Sequence, residues 1–395
     1  MRIWAVTHGY PRPGGIGAFF FAHNPLREVV RRGHSVTVFE LIRATGPRLL
    51  SQVGWTLDGV EVLPVPYVPF IHCLSIGLDQ AMKRAALRNA WRRRRRMHRP
   101  DVVFAQSLYP DGTVCSPLCK AWRFPLVTMM IGGDVNRYPI ESDAIRVAVE
   151  RLGLDGDLFI GVSEDLTREA AESLLPSNSR TAVLHTGVDM QAFRRVVPIR
   201  DPPRRLLYVG GFASEKGILD IVKATKRIVR FLPDVTLTIA GGGVARGAAE
   251  KEIRTNGLQA SIRVLGQVPH VDMPALMNEH DILVHPSRRE GLPNCVVEAV
   301  ACERAVVVAD VEGIREIAPA SPSFVMVRPG FIHELTDAIL AMQAAPVDSL
   351  RESSMRGRGT VVDRFSVDRN GDTLEGLLQS VVEGTGAVTQ CPDVG

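Results

Sequence analysis

The chain has 395 residues, 45% of them hydrophobic and 23% charged, a globular composition long enough for two domains. A net charge of +4 points to no nucleic-acid partner, and no stretch reaches the ~20 apolar residues of a membrane span. Six cysteines without Cys-x-x-Cys spacing fit reduced thiols in the cytoplasm rather than a disulfide frame or a metal site.

Residues 3–8 read as a first buried strand rather than a signal peptide. A helix over 18–32 and a strand over 36–39 follow, the rhythm of a parallel sheet with helices on both faces. The loop between them contains Gly15 and Gly17, and glycine lets backbone approach a ligand at a helix start. With Glu40 it imitates a dinucleotide fingerprint. Phe20, however, stands where close packing needs a small residue, and the loop is too long for the tight turn, which counts against a nicotinamide cofactor. Residues 60–72 give a strand and then a proline-broken apolar loop, which reads as packing or as an acceptor-side surface. Arg92 to Arg96 end a helix after Trp91; they suit an anionic membrane surface, although a helix C-terminus also favours cations. Cys115 and Cys119 read as a buried pair. A strand over 126–131 runs into Gly132, Gly133, Asp134 and Asn136. Asp155-Gly-Asp157 has the form of a metal–diphosphate signature but sits where a turn is expected, so no metal is assigned to it.

The rhythm restarts over 206–210 and passes through Gly211 to Lys216 in a glycine turn before a helix, an arrangement suited to a diphosphate. A strand over 236–240 ends in three glycines that include Gly242, and another ends near Val268. The strand 282–285 leads into Pro286-Ser-Arg-Arg-Glu-Gly-Leu-Pro-Asn-Cys-Val-Val-Glu-Ala299. Gly291 and Pro293 break the chain, Asn294 is placed to cap a helix, and the helix start presents unpaired amides to an anion. Two carboxylates beside an anion site suit a ligand that carries both phosphate and neighbouring hydroxyls, since carboxylates accept hydrogen bonds from sugar hydroxyls. The plain alternative is a solvated Glu290 and a Glu298 paired with a basic residue.

Glu290 and Glu298, with seven residues between them in a Pro-Ser-x-x-Glu-Gly-Leu-Pro-Asn frame, resemble the Glu-x7-Glu motif of retaining GT-B glycosyltransferases of family 4. The resemblance implies an α/β fold of two Rossmann-like, doubly wound parallel-sheet domains facing a cleft. It divides the chain into an acceptor-binding domain over 1–195, a linker over 196–205, a nucleotide-sugar domain over 206–366, a helix over 367–383 that crosses back to the first domain, and a disordered tail over 384–395. It implies that Glu290 contacts the donor sugar, Glu298 the ribose, and Gly291, Leu292, Pro293 and Asn294 the sugar hydroxyls. Lys216, Gly15 and Gly17 would lie near the donor phosphates, with Gly211, Gly242 and Val268 lining the rest of the donor site. Glu290, Lys216 and Asp134 are the catalytic candidates.

Three departures stand out. Ile131 replaces the family's histidine before Gly-x-Asp, Gly211 stands at an arginine position, and Thr186 replaces an asparagine near the hinge. Arg288 or Arg289 is the candidate for the missing cation. The motifs most resemble the teichuronic acid, capsular and exopolysaccharide branch. The implied activity is transfer of a hexosyl unit from a UDP- or GDP-sugar to a carbohydrate or lipid-linked acceptor, without metal or cofactor, in the cytoplasm or at the inner face of the membrane. A non-catalytic nucleotide-sugar binder and a GT-B epimerase are the alternatives.

Overall fold

The computed structural model describes residues 1–13, 20–44, 53–69, 75–95, 98–318 and 321–385. Gly15, Gly17, Arg96 and the chain beyond 385 lie outside the described residues. The chain divides into two units. Among the described residues, the first holds those from Met1 to Thr186 and those from Asp368 onward, and the second holds Gly187–Val367.

The first unit holds an eight-stranded sheet of β1 (Arg2–Thr7), β2 (Ser35–Arg43), β3 (Trp55–Leu57), β4 (Val60–Tyr67), β5 (Val102–Ala105), β6 (Leu126–Met130), β7 (Leu158–Gly161) and β8 (Thr181–Val183), in the order β3-β4-β2-β1-β5-β6-β7-β8. All pairs are parallel except β3 with β4. Short apolar runs such as Val102–Ala105 are buried on both faces, as strands under helices on each side require. Pro64 and Pro66 are tolerated in β4 because β3 pairs only with residues 60–62, which leaves one side of the prolines without a ladder. Trp91 is fully buried against Trp4, Phe39, Trp122 and Phe124, and this anchors the helix Ile76–Arg94 whose end carries the arginine run. Arg94 pairs with Glu61, while Arg95 stacks over Trp122 at 4.7 Å and Arg99 over Phe124 at 5.1 Å. Trp122 and Phe124 precede β6 and Arg99 precedes β5, so this basic patch lies at the N-terminal edge of the sheet.

The second unit holds β9 (Arg205–Val209), β10 (Thr236–Ala240), β11 (Ile262–Gly266), β12 (Ile282–His285), β13 (Ala305–Ala309) and β14 (Phe324–Val327), all parallel in the order β11-β10-β9-β12-β13-β14. Its core is aliphatic, with Leu206, Ile218, Ile221, Leu237, Val284 and Val307 at or below 1% exposure.

The segment expected to be a linker is strapped to this second unit. Asn278 accepts from Val196 N at 2.7 Å and donates to Arg194 O at 3.0 Å. Asp281 accepts from the amides of Arg200 and Arg205, both at 3.0 Å, and Arg304 donates to Val197 O at 2.6 Å. Backbone polar groups in a Pro- and Arg-rich stretch need partners, and these buried side chains supply them. The helix Val367–Val382 belongs with the first unit, where Arg32 donates to Asp372 at 2.7 Å and His34 meets Glu375 at 2.6 Å.

Candidate active site

In an open parallel sheet, a ligand crevice forms at the carboxyl ends of the strands where the winding reverses. In the second unit that point lies between β9 and β12, which pair Leu206 with Ile282 and Leu207 with Leu283. The loop after β9 carries Lys216 and the loop after β12 carries Glu290. Topology therefore joins residues 74 positions apart: Lys216 Nζ lies 2.8 Å from both carboxylate oxygens of Glu290.

A third group completes this clamp. His285, the last residue of β12, places Nε2 2.8 Å from Glu290 Oε1, and its Nδ1 lies 3.5 Å from Cys295 Sγ. Burial alone would keep Glu290 neutral, but the adjacent His285 and Lys216 overcome it and hold the carboxyl at about 2. Burial likewise opposes charge on His285, and the neighbouring Cys295 sulfur and Glu290 carboxylate overcome it, raising the imidazole to about 10.

The pH dependence of stability follows. The depressed carboxylate contributes stability that is complete above its ordinary 4.5 and is lost as pH falls toward about 2. The raised imidazole contributes stability that is complete below its ordinary 6.5 and is lost as pH rises through about 10. The melting temperature should therefore decline from pH 6.5 toward pH 10, and His285→Gln should flatten that alkaline limb in a Tm–pH series. An equally steep limb in the variant would refute the assignment.

Close backbone approach sets the clamp. Gly217 has φ +69° and caps the helix Ile218–Ile228; a Cβ there would lie 2.2 Å from Pro286 O. Gly313 has φ +72°, and its Cβ would lie 1.9 Å from Gly291 O. Two loops and the following strand connection are thereby pressed together around Glu290.

The helix that follows is Asn294–Ala301, and Pro293 occupies its cap position. Asn294 is thus the first helical residue rather than the cap, and the true cap has no side-chain acceptor to offer the first-turn amides. Leu292 and Pro293 are buried. Glu298 lies one turn further on, 6% exposed, with His270 Nε2 3.1 Å from its Oε1. Of the strand-tip residues, Gly242 faces Gln267, Val268 is half-buried after β11, and Gly211 accepts at its carbonyl from Tyr208 Oη at 3.0 Å. Arg288, a candidate for the cation absent at Gly211, is engaged elsewhere in this structure. Its guanidinium is committed to Asp220 at 2.7 Å and to Ser214 O at 3.2 Å, and neither contact includes Glu290.

The first unit has its own crevice. A cavity of about 710 Å³ opens at the carboxyl ends of β1, β2 and β4, lined among others by His8, Arg43, Tyr67, Tyr109 and Tyr138. His8 Nδ1 lies 3.1 Å from Asp111, whose carboxylate is fully buried and also accepts from Ser107 Oγ at 2.8 Å. The Asp111 charge raises the His8 pKa against the opposing effect of burial. Glu40 accepts from Tyr10 N at 3.1 Å, so it closes the loop after β1. Asp134 is 1% exposed and accepts from the amides of Leu108, Ile131 and Gly132 at 2.7, 2.9 and 2.9 Å. Burial pushes it up to about 6 in spite of those bonds. An enclosed carboxylate with three backbone partners shapes the loop that follows β6. Asp157 and Asp155 are likewise structural, bonded to Leu126 N and Lys120 at 2.7 Å each.

His285, His270 and Cys295 carry no motif signal of their own. The available hint was an imidazole at the carboxyl end of a buried strand that leads directly into the two-glutamate loop.

Residues 16–192 match the family model Glycosyltransferase Family 4, and residues 189–352 match Glycosyl transferases group 1. The chain is 26% identical to a glycogen synthase of Mycobacterium tuberculosis, covering 89% of this chain and 88% of that one. It is 24% identical to TuaC of Bacillus subtilis, a putative teichuronic acid biosynthesis glycosyltransferase, covering 97% and 99%. Sucrose-phosphate synthase from Thermosynechococcus elongatus superposes with a TM-score of 0.82 at 17% identity, over 97% of this chain and all 100% of that one. Anabaena HepE, solved in complex with UDP and glucose, gives 0.75 at 19% identity, over 96% and 100%.

Proposed function

The chain belongs to the glycosyltransferases of the GT-B fold, a Family 4 region followed by a group 1 region, and from that premise we propose a retaining transferase. It moves a hexosyl unit from a UDP- or GDP-sugar to a carbohydrate or lipid-linked acceptor in polysaccharide or glycoconjugate synthesis. The observation that carries this reading is the Glu290 carboxylate, held ionised between Lys216 and His285 beside the start of the helix Asn294–Ala301. A fixed carboxylate accepts hydrogen bonds from sugar hydroxyls, and the helix start and lysine attract the diphosphate.

His285 gives the arrangement a second cation. When Lys216 turns to the departing diphosphate, the imidazolium still balances Glu290, so the absence of a cation at Gly211 is tolerable. Preorganised charges of this kind stabilise the leaving group, and the reading needs no metal. Glu298, oriented by His270, is assigned to the ribose. HepE, solved with UDP and glucose, supports a nucleotide-sugar donor, and TuaC, named a putative teichuronic acid biosynthesis glycosyltransferase, supports a role in polysaccharide synthesis.

The acceptor is assigned to the first unit's cavity, where Tyr67, Tyr109 and Tyr138 offer aromatic faces beside the His8–Asp111 pair. The arginine run lies at the opposite edge of the same sheet, so this reading gives it no part in presenting the acceptor. Among the described residues no helix is long and apolar enough to cross a membrane. The free cysteines at 115, 119, 295 and 302 fit the cytoplasm.

The test is a thermal-shift panel of UDP, GDP and their sugar conjugates without metal, on wild type and Glu298→Ala. A ligand at 100 times its Kd stabilises by about 2.7 kcal/mol. One nucleotide series should shift the wild type, and the shift should vanish in the variant. No shift with any conjugate refutes the donor assignment. Binding with neither transfer nor donor hydrolysis would favour the non-catalytic binder, the reading to which Gly211 and Ile131 point.

A further inference from the structure

Around the Glu290 clamp one group has no part in sugar transfer, Cys295. Its Sγ lies 3.5 Å from His285 Nδ1, and the other ring nitrogen lies 2.8 Å from Glu290, so thiol, imidazole and carboxylate are linked in series. The His285 side chain is 4% exposed and stacks on Tyr208, with centroids 6.4 Å apart and planes at 20°, which fixes Nδ1 toward the sulfur. Cys295 is the second residue of an eight-residue helix, where the positive helix end favours a thiolate. It is partly buried, whereas Cys115, Cys119 and Cys302 are buried. The other ionisable groups facing this pair are Glu290 from the loop, Lys216 and Glu215 from the turn before the Ile218 helix, and Tyr208 from β9. Glu290 opposes a second negative charge, but Lys216 already neutralises it from the far side.

We propose that Cys295 is a modification site: a thiolate paired with the His285 imidazolium, which reacts with soft electrophiles and hydroperoxides and thereby closes the donor site. With iodoacetamide the sulfur forms an S–C bond and iodide leaves. With a hydroperoxide the sulfur takes the terminal oxygen as the O–O bond breaks, and the alkoxide leaves with the imidazolium proton. Sulfur is oxidised by two electrons to the sulfenic acid and the peroxide is reduced to the alcohol. Either adduct stands between His285 and the helix start, separating the imidazole from the sulfur and crowding Glu290. The closure of the donor site rests on the glycosyltransferase reading; the reactivity of the thiol does not.

The experiment alkylates the full-length chain with iodoacetamide across a pH series and follows the Cys295 peptide by mass spectrometry. Cys295 is expected to be alkylated well ahead of the buried Cys115, Cys119 and Cys302 at pH 6.5. His285→Gln should slow the reaction of Cys295 at pH 6.5 more than tenfold. A Cys295 that reacts no faster than the buried cysteines, or at a rate the substitution does not change, overturns the assignment. The wild-type order of reaction decides the point even if the variant folds poorly. Alkylated wild type should then lose the thermal shift given by the nucleotide series that stabilises the unmodified protein. Retention of that shift overturns the closure, whereas an unmodified protein that no conjugate shifts counts against the glycosyltransferase reading and leaves the thiol profile to stand or fall alone.

Discussion

Glu290→Gln is expected to lower kcat/KM for sugar transfer by two to four orders of magnitude while the protein stays folded. The substitution keeps the shape of the side chain and removes its charge, leaving Lys216 and His285 facing a neutral amide at positions now 2.8 Å from the carboxylate. Breaking a buried ion pair by removing one partner costs about 3–5 kcal/mol, and each 1.36 kcal/mol of lost transition-state stabilisation is a factor of about ten in rate. The two costs do not fall on the same quantity, so both must be read: steady-state kinetics for the rate and thermal melting for the fold. Glu290 stays ionised far below neutrality, so raising or lowering the assay pH should not rescue the variant. A variant that retains more than a tenth of wild-type kcat/KM would remove Glu290 from the mechanism.

The largest expected structural effect comes from a methyl group. In Gly217→Ala the new Cβ meets the Pro286 carbonyl oxygen at 2.2 Å, and the backbone is at φ +69°, where a side chain is already disfavoured. The left-handed conformation alone costs about 1–2 kcal/mol, and relieving the contact requires the Lys216 turn to draw away from the loop that carries Glu290. We expect a loss of at least about 2 kcal/mol, read as a fall in Tm of several degrees, together with weaker donor binding. Gly247→Ala is the control. It lies in the helix Arg246–Thr255 with nothing within 4 Å of the added methyl, and helix propensity makes it neutral or stabilising. Equal effects at the two positions would show that the loop contact is unimportant.

The parts of this site that are legible in the sequence are those built from neighbours in the chain. Glu290, Gly291, Pro293 and Glu298 lie within nine positions, and their spacing carries a loop, a helix start and two carboxylates without any knowledge of the fold. Lys216 is legible as a cation in a glycine turn, because Gly217 and the apolar run after it announce a helix. The parts that are not legible depend on strand order. Nothing local says that β12 lies beside β9, and that adjacency is what brings Lys216 to Glu290 and stacks His285 on Tyr208.

The same limit applies to side chains and segments whose partners are distant in the chain. Arg288 is two residues from Glu290 in sequence, yet its side chain is claimed by Asp220 on a helix that the chain reached 68 residues earlier. Asp134 sits in a segment that resembles a cleft-facing motif, but the amides of Leu108, Ile131 and Gly132 enclose it. Proline and arginine between 197 and 205 have the composition of a free linker. Their attachment is written in Asn278, Asp281 and Arg304, which are distant in the chain and unremarkable in isolation.

The helix Val367–Val382 carries a consequence for the order of events during synthesis. Its Asp372 and Glu375 partner Arg32 and His34, so the first unit to leave the ribosome is the last to be completed. Translation proceeds at roughly 5–20 residues per second, and more than 300 residues separate those partners. For roughly 15–70 seconds, the nascent first unit waits with its helix-docking face uncovered while the whole of the second unit is made. The described residues of the second unit all lie from Gly187 to Val367. The first unit is therefore begun before the second and completed after it.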